Sequence, residues 1–128
     1  MNLLDARRRA PRISLEGFCA VATDGALHHA HLTSLSTLGL QIEQPSRAAT
    51  TRSMVQLEIE LPGLDEVVWA SAYVTDVRVD YRRRPWTCHS GLQIAAISRH
   101  EQRMLRDYVV EQMVAHRANQ RDRRVAVR

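Results

Sequence analysis

A cluster of arginines ahead of the first predicted strand contains the side chains best suited to binding an anion. Arg7, Arg8, Arg9 and Arg12 lie close together, and Pro11 stiffens the backbone beside them. Guanidinium groups carry planar, forked donors that match phosphates and guanine edges. Every basic residue of the chain is arginine, which genomic composition bias explains by itself. Their clustering, however, favours an anionic partner: a nucleotide, a nucleic acid or a membrane surface.

A small polar turn between the second and third predicted strands is the other segment suited to a ligand. It contains Ser34, Ser36 and Gly39. Serine hydroxyls both donate and accept hydrogen bonds, and glycine lets the backbone bend or approach a ligand closely. An arginine run alone is typical of a solvated arm, so the binding hypothesis depends on the two segments occurring together.

A hydrophobic period of two residues predicts six strands. In the clearest case, Val55, Leu57 and Ile59 alternate with polar residues and so fall on one face. Asp24 and Gly25 suit the tight turn of a hairpin. The predicted strands cover residues 15–23, 27–33, 39–43, 53–61, 67–79 and 89–97. Six antiparallel strands with short connections indicate a closed or nearly closed barrel.

The hydrophobic period changes after residue 97. Ser98 and Glu101 fit a capping box at the start of a helix. Apolar and large side chains then recur at three- and four-residue spacing, which marks one helical face. That face comprises Leu105, Tyr108, Val109, Gln112, Met113 and His116, with Met104 alongside. We therefore expect an amphipathic helix that caps or flanks the barrel.

Length and composition favour one domain. The chain has 128 residues, of which 45% are hydrophobic, enough for one core. We expect an arginine-rich arm over residues 1–12, a barrel over 13–97, a helix over 98–117 and a frayed basic tail over 118–128. No stretch approaches the roughly 20 apolar residues of a membrane span, and the N-terminus does not follow the order of a signal peptide. We expect a cytoplasmic protein without membrane insertion.

Several other residues suggest chemistry, but their surroundings favour simpler interpretations. Cys19 and Cys88 are expected to be reduced core residues. His29 and His31 project from one strand face, but no ligand set with metal spacing accompanies them. No catalytic residues are predicted, because Ser, His and Asp occur without a recognisable motif. The two tryptophans, Trp69 and Trp86, are expected to pack in the core and in a loop.

The two polar segments resemble the signature of the PilZ family, Arg-x-x-x-Arg followed some twenty-odd residues later by Asp/Asn-x-Ser-x-x-Gly. Arg8 and Arg12 match the arginines, Ser36 matches the serine and Gly39 the glycine. Ser34 departs from the signature because it replaces the acidic or amide residue. The resemblance includes the strand order, the final strand and the helix, so it covers most of the chain.

The resemblance implies a six-stranded antiparallel PilZ-type β-barrel with one C-terminal helix, which binds cyclic di-GMP and is not an enzyme. It implies no cofactor. Arg8 and Arg12 would pair with phosphates or guanine edges, or stack on the purines, and Arg7 or Arg9 would be an accessory contact. Binding would order the arm and create a surface for an unidentified downstream protein. The resemblance does not decide whether the protein forms a homodimer.

The resemblance also assigns the polar turn to the ligand. Ser36 and the backbone near Gly39 would complete the pocket. Ser34 would accept one hydrogen bond from guanine, but it lacks the charge and the second acceptor of a carboxylate. A missing charge-assisted bond costs on the order of 1.5 to 3 kcal/mol, so weaker binding is expected unless another residue compensates.

Two alternatives follow from these features. The first is a PilZ-like adaptor that has lost nucleotide binding and acts through protein contacts, motivated by Ser34. The second is a basic barrel that binds nucleic acid. The small number of aromatic residues, 5% of the chain, argues against the second, because single-strand binding surfaces interleave exposed aromatics with basic residues.

Overall fold

The computed structural model describes residues 10–23, 25–46, 54–82 and 84–126, with side chains as far as residue 120. It contains six long strands and one helix. These are β1 (Ile13–Thr23), β2 (Ala26–Leu35), β3 (Gly39–Pro45), β4 (Met54–Glu60), β5 (Val67–Asp80), β6 (Thr87–Ile97) and α1 (Arg99–Ala126). All six predicted strands are confirmed, and their boundaries differ from the prediction by no more than two residues.

The strands form a closed barrel in the order β1-β2-β3-β6-β5-β4, with every neighbouring pair antiparallel. Thr23 pairs with Ala26, which leaves a two-residue connection between β1 and β2. Gly25 in that connection has a φ of 80°, a backbone conformation that residues other than glycine rarely adopt. The predicted hairpin and the predicted closure of the barrel are confirmed.

Strand alternation determines which side chains enter the barrel. Val55, Leu57 and Ile59 are buried, whereas Gln56 and Glu60 on the same strand are exposed. The apolar core is continuous, since inward residues of every strand share one cluster. An outer wall of polar and mixed side chains is therefore left for contacts with other molecules.

Both cysteines are free and buried, as predicted. Burial raises the pKa of the Cys19 thiol to about 12, and the nearby carboxylate of Glu58 adds to the rise. A thiol in this environment stays protonated and behaves as a small apolar side chain.

The helix docks on the barrel through its apolar face. Leu105, Tyr108 and Val109 are buried in the core cluster, and Met104 and Met113 pack partly against it, which confirms that part of the predicted face. Gln112 and His116, which were also assigned to the face, are exposed. At its start, the Ser98 hydroxyl accepts a hydrogen bond from the Glu101 amide at 3.2 Å, as a capping box requires. The Glu101 carboxylate instead accepts from the backbone amide of Trp69 on β5. The glutamate thus fixes the helix to the barrel.

The helix is longer than predicted. It continues to Ala126, so the expectation of a frayed tail from residue 118 was wrong for residues 118–126. The apolar period ends near His116, but no glycine or proline follows, and alanine, arginine and glutamine favour helix. The side chains of His116 and Gln120, one turn apart, are hydrogen-bonded at 3.0 Å. Within the described part of the chain, no helix is long and apolar enough to cross a membrane.

The two tryptophans differ in their surroundings. Trp69 is 55% exposed on the outer surface of β5, so its predicted core position was wrong. Its neighbours Val68 and Ala70 are buried, and strand alternation therefore turns Trp69 outward. Trp86 packs edge-on against the ring of Tyr81, with centroids 4.9 Å apart, which agrees with the expected packing in a loop.

Candidate ligand-binding groove

The turn between β2 and β3 is organised by one buried hydroxyl. Ser36 is 3% exposed, and its Oγ accepts hydrogen bonds from the amides of Leu38 at 3.2 Å and Gly39 at 3.1 Å. The same hydroxyl donates to the Gly39 carbonyl at 3.2 Å. The Ser36 amide donates to that carbonyl as well, at 2.8 Å. Ser36 therefore holds the shape of the turn, and its hydroxyl is already engaged there.

Gly39 is required by the packing of β3 on β6. A Cβ atom at this position would lie 2.4 Å from the backbone oxygen of Leu92, closer than any real contact. Just before Gly39, the carbonyl of Leu38 accepts a hydrogen bond from the Ile94 amide at 2.8 Å. The turn is thereby held against β6, next to the outer surface of β3 and β5.

A groove opens on this outer surface, across β3, β6 and β5. It has a volume of about 150 Å³. The β2–β3 turn and Arg12 lie on its border, with Gln41 on one side and Thr75 and Asp76 on the other. Arg12 is exposed. The groove therefore combines a cation, a carboxylate, an amide and a polar turn.

Gly91 forms the floor of the groove because it has no side chain. It pairs with Gln41 on β3 and with Asp76 on β5. A Cβ atom on Gly91 would lie 3.2 Å from Thr75 Oγ1 and 3.6 Å from Asp76 Cβ, so these two side chains border the open space. A glycine inside a strand is typical of a place where another molecule approaches the backbone.

An irregularity in β5 turns two adjacent side chains toward the groove. The pairing register shifts between Val74 and Asp76, and both Thr75 and Asp76 are exposed, where regular alternation would bury one of them. The Thr75 hydroxyl donates to the Gly91 carbonyl at 3.1 Å. Within the described residues, Asp76 and Arg12 form no ion pair with each other. Both charges are thus open to an external group.

The structure brings three of the predicted site residues together. Arg12, Ser36 and Gly39 all line the groove. Ser34 pairs with Gln41 and with Ser14, so it lies on the same outer surface, one strand beyond the groove lining.

The remaining predicted site residues, Arg7, Arg8 and Arg9, lie outside the described residues.

Sequence reasoning missed Gln41, Thr75 and Asp76. Gly91 carried a detectable signal, because an isolated glycine in a strand often marks a bulge or a close approach. Nothing comparable marked Asp76, since the register shift that exposes it depends on pairing with β6.

The histidines of β2 form part of the exposed outer surface, as expected. His29 and His31 are exposed, and the ring of His31 lies 5.3 Å from that of Phe18. Among the residues whose placement is described, no group of three His, Cys, Asp or Glu side chains is arranged to hold a metal ion.

Comparison with known proteins identifies the family. The PilZ domain model matches residues 6–111, and the chain belongs to the PilZ domain family. The resemblance seen in the arginine segment and the serine-glycine turn is thereby confirmed. No curated protein matches the sequence.

Solved structures share the fold. The PilZ domain of YcgR from Escherichia coli with c-di-GMP is 20% identical, with a TM-score of 0.65 over 88% of this chain and 98% of that one. MotI/DgrA, the inhibitor of motility of Bacillus subtilis, is 16% identical with a TM-score of 0.71, over 85% of this chain and 52% of that one. The K. pneumonia MrkH–c-di-GMP complex is 14% identical with a TM-score of 0.73, over 88% and 55%. This chain thus spans about half of the last two proteins.

Proposed function

We propose that this protein is a receptor for cyclic di-GMP, acting in the cytoplasm as a binding module and not as an enzyme. One observation carries the proposal: Arg12 and the Ser36–Gly39 turn, which match the family signature, border one groove on the barrel wall. The family membership and the c-di-GMP complexes of YcgR and MrkH, which share its fold, support it.

The groove offers the donors and acceptors that a cyclic dinucleotide needs. The Arg12 guanidinium binds a phosphate oxygen or the O6 and N7 edge of guanine through paired N–H donors. The amide of Gln41 donates or accepts at a base edge. Arg7, Arg8 and Arg9 add further cationic contacts in this proposal, closing over the ligand from the chain segment before Arg12.

The signal is the ordering of that arginine segment. Arg12 directly precedes β1, and it also borders a second cleft formed with Met113, His116 and Arg117 of α1. A ligand that fixes Arg12 therefore changes the surface between the arm and the helix. An unidentified downstream protein, or a second copy of the chain, recognises this changed surface.

Isothermal titration with cyclic di-GMP tests the proposal. The unmodified protein is expected to bind, and Arg12→Ala is expected to weaken binding by about tenfold or more, because a charge-assisted contact is lost. Arg106→Ala is the matched control, since it removes the same charge from an exposed position on α1. Absence of binding by the unmodified protein refutes the proposal.

The non-binding adaptor is the main competing function. It predicts no heat with the unmodified chain and a gain of binding in Ser34→Asp, which restores the carboxylate of the signature. A receptor instead binds before the substitution, so titration of the unmodified protein and of Ser34→Asp separates these functions.

Nucleic-acid binding has less support. Phe18, Trp69 and Tyr73 are exposed on the barrel, contrary to the expectation that exposed aromatics are lacking. Glu60 pairs with Phe18 and Glu58 with Trp69, however, so these rings are interleaved with carboxylates that repel a phosphate backbone. A gel shift showing strong, salt-sensitive binding of single-stranded DNA would revive this alternative.

A further inference from the structure

A row of paired residues crosses the outer barrel surface and ends at a carboxylate. Ser14 pairs with Ser34, Ser34 with Gln41, Gln41 with Gly91, and Gly91 with Asp76. Neighbouring strands are about 4.8 Å apart, so Asp76 lies roughly 10 Å from Gln41 across the glycine floor. Ser34 and Asp76 therefore lie at opposite sides of the groove, along one line.

The carboxylate of Asp76 is oriented and unengaged. The register shift before it turns the side chain outward, and its Cβ borders the open space above Gly91. Within the described part of the chain, no hydrogen bond or salt bridge engages the Asp76 carboxylate. Thr75, in contrast, uses its hydroxyl to bond the Gly91 carbonyl. The acceptors of Asp76 are thus available to a ligand lying on the floor.

Guanine presents the complementary chemistry. Its Watson–Crick edge carries two adjacent donors, the ring N1–H and the exocyclic 2-amino group, and a carboxylate accepts from both. Adenine presents a ring acceptor in place of the N1–H, which faces a carboxylate unfavourably. A phosphate would be repelled at the same place, because both groups are anionic.

We propose that Asp76 is the guanine-selecting residue of the groove, which supplies from β5 the carboxylate that Ser34 does not supply from β2. This inference rests on the proposed function, since it requires a guanine nucleotide in the groove. Arg12 neutralises the phosphates at the border, and Asp76 recognises the base at the other side. The departure from the family signature is in this way compensated by a residue on another strand.

Whether one substitution weakens or strengthens cyclic di-GMP binding decides between a base contact and an incidental charge. If Asp76 accepts from guanine, Asp76→Asn weakens cyclic di-GMP binding by about tenfold or more, since the amide keeps one acceptor but loses the charge and the second acceptor. If Asp76 only faces phosphate, the same substitution removes a repulsion and strengthens binding. Asp65→Asn is the matched control, because Asp65 is an exposed carboxylate in the loop between β4 and β5, and Asp65 does not line the groove.

Changing the ligand tests the contact directly. Titrations use cyclic di-GMP and cyclic di-inosine monophosphate, whose bases lack the 2-amino group, each with the unmodified protein and with Asp76→Asn. The unmodified protein should prefer the guanine ligand, and the variant should lose most of that preference, which is the coupling that a double-mutant cycle measures. Circular dichroism of each variant confirms that the barrel is folded.

The outcomes separate this inference from the function on which it rests. Binding of cyclic di-GMP by the unmodified protein, with unchanged or tighter binding by Asp76→Asn, overturns the inference and leaves the receptor function standing. The inference is also overturned if the unmodified protein and Asp76→Asn prefer cyclic di-GMP over cyclic di-inosine monophosphate to the same extent. No binding by the unmodified protein overturns both.

Discussion

Two outer surfaces of the same barrel differ in shape although both carry charge. The groove lies over β3, β6 and the second half of β5, with Gly91 as its floor. The other surface, here called the aromatic face, comprises the outward side chains Phe18 of β1, Glu58 and Glu60 of β4, and Trp69 and Tyr73 of β5. On the aromatic face large side chains fill neighbouring positions, whereas the groove has a missing side chain between two polar borders.

The comparison indicates that the concavity comes from backbone features and not from surface composition. A glycine in β6 removes one side chain, and the shifted register of β5 turns Thr75 and Asp76 toward the gap. The aromatic face pairs β1 with β4 and β4 with β5 without such a shift. The difference can be tested by changing the glycines and the large side chains separately.

The largest effect is expected at Gly39, where the groove meets the core. Gly39→Ala places a Cβ 2.4 Å from the Leu92 backbone oxygen, so β3 or β6 must move. We expect the free energy of unfolding in urea to fall by about 3 kcal/mol. In Gly17→Ala, the control, the nearest atoms are 3.4 Å or more from the new Cβ, and the change should stay below about 1 kcal/mol. Equal stability of the two variants contradicts this account.

Filling the floor should convert the groove into a surface like the aromatic face. Gly91→Leu meets Thr75 Oγ1, at 3.2 Å from the new Cβ, which is the end of a side chain that can rotate. The barrel should therefore fold, while the affinity for cyclic di-GMP should fall by about a hundredfold in titration calorimetry. Ala95→Leu places the same side chain at an exposed position of β6, and this variant should bind normally. Unchanged affinity of Gly91→Leu places the ligand elsewhere.

Cys19, in the core beneath the aromatic face, should have a smaller effect on stability, and this effect should depend on pH. The pKa of Cys19 is raised from 9.0 to about 12 in the folded protein. Above pH 9 the unfolded chain loses this proton and the folded chain keeps it, so stability is lost as pH rises toward 12. Between pH 8 and 10, the free energy of unfolding in urea should fall by about 1 kcal/mol more for the unmodified protein than for Cys19→Ala. Parallel pH dependences contradict the assignment.

The smallest effect is expected on the aromatic face itself. Trp69→Ser removes a side chain that is 55% exposed and leaves the backbone amide that binds Glu101. Cyclic di-GMP affinity should change by less than about twofold, well below 1 kcal/mol. A tenfold loss in calorimetry would show that the ligand contacts this face and would remove the contrast between the two surfaces.

Much of the fold was predictable because burial follows local periodicity. Alternation along β4 identified Val55, Leu57 and Ile59 as inward, and helical spacing identified Leu105, Tyr108 and Val109. The prediction failed for Trp69, where residue type was given more weight than the alternation set by Val68 and Ala70. It also failed for the end of α1, where propensity extends the helix beyond its docked face.

The site was predictable only where a linear motif encodes it. Arg12, Ser36 and Gly39 could be recognised from their spacing and do border one groove. The roles of Ser36 and Gly39 within the turn and against Leu92 required the hydrogen bonds and the strand contact to be seen.

The sequence by itself determined the strands, the docked face of the helix, the inward residues and the motif that identifies the family, because these depend on neighbours along the chain. Only the tertiary structure decided that Asp76, Gly91 and Gln41 form one row beside the turn. The physical reason is that Gln41 meets Gly91 through the pairing of β3 with β6, which are distant in sequence, and that Asp76 joins them through an irregularity in the pairing of β5 with β6. A one-residue shift in β5 changes which side chains meet a ligand without leaving a local signal.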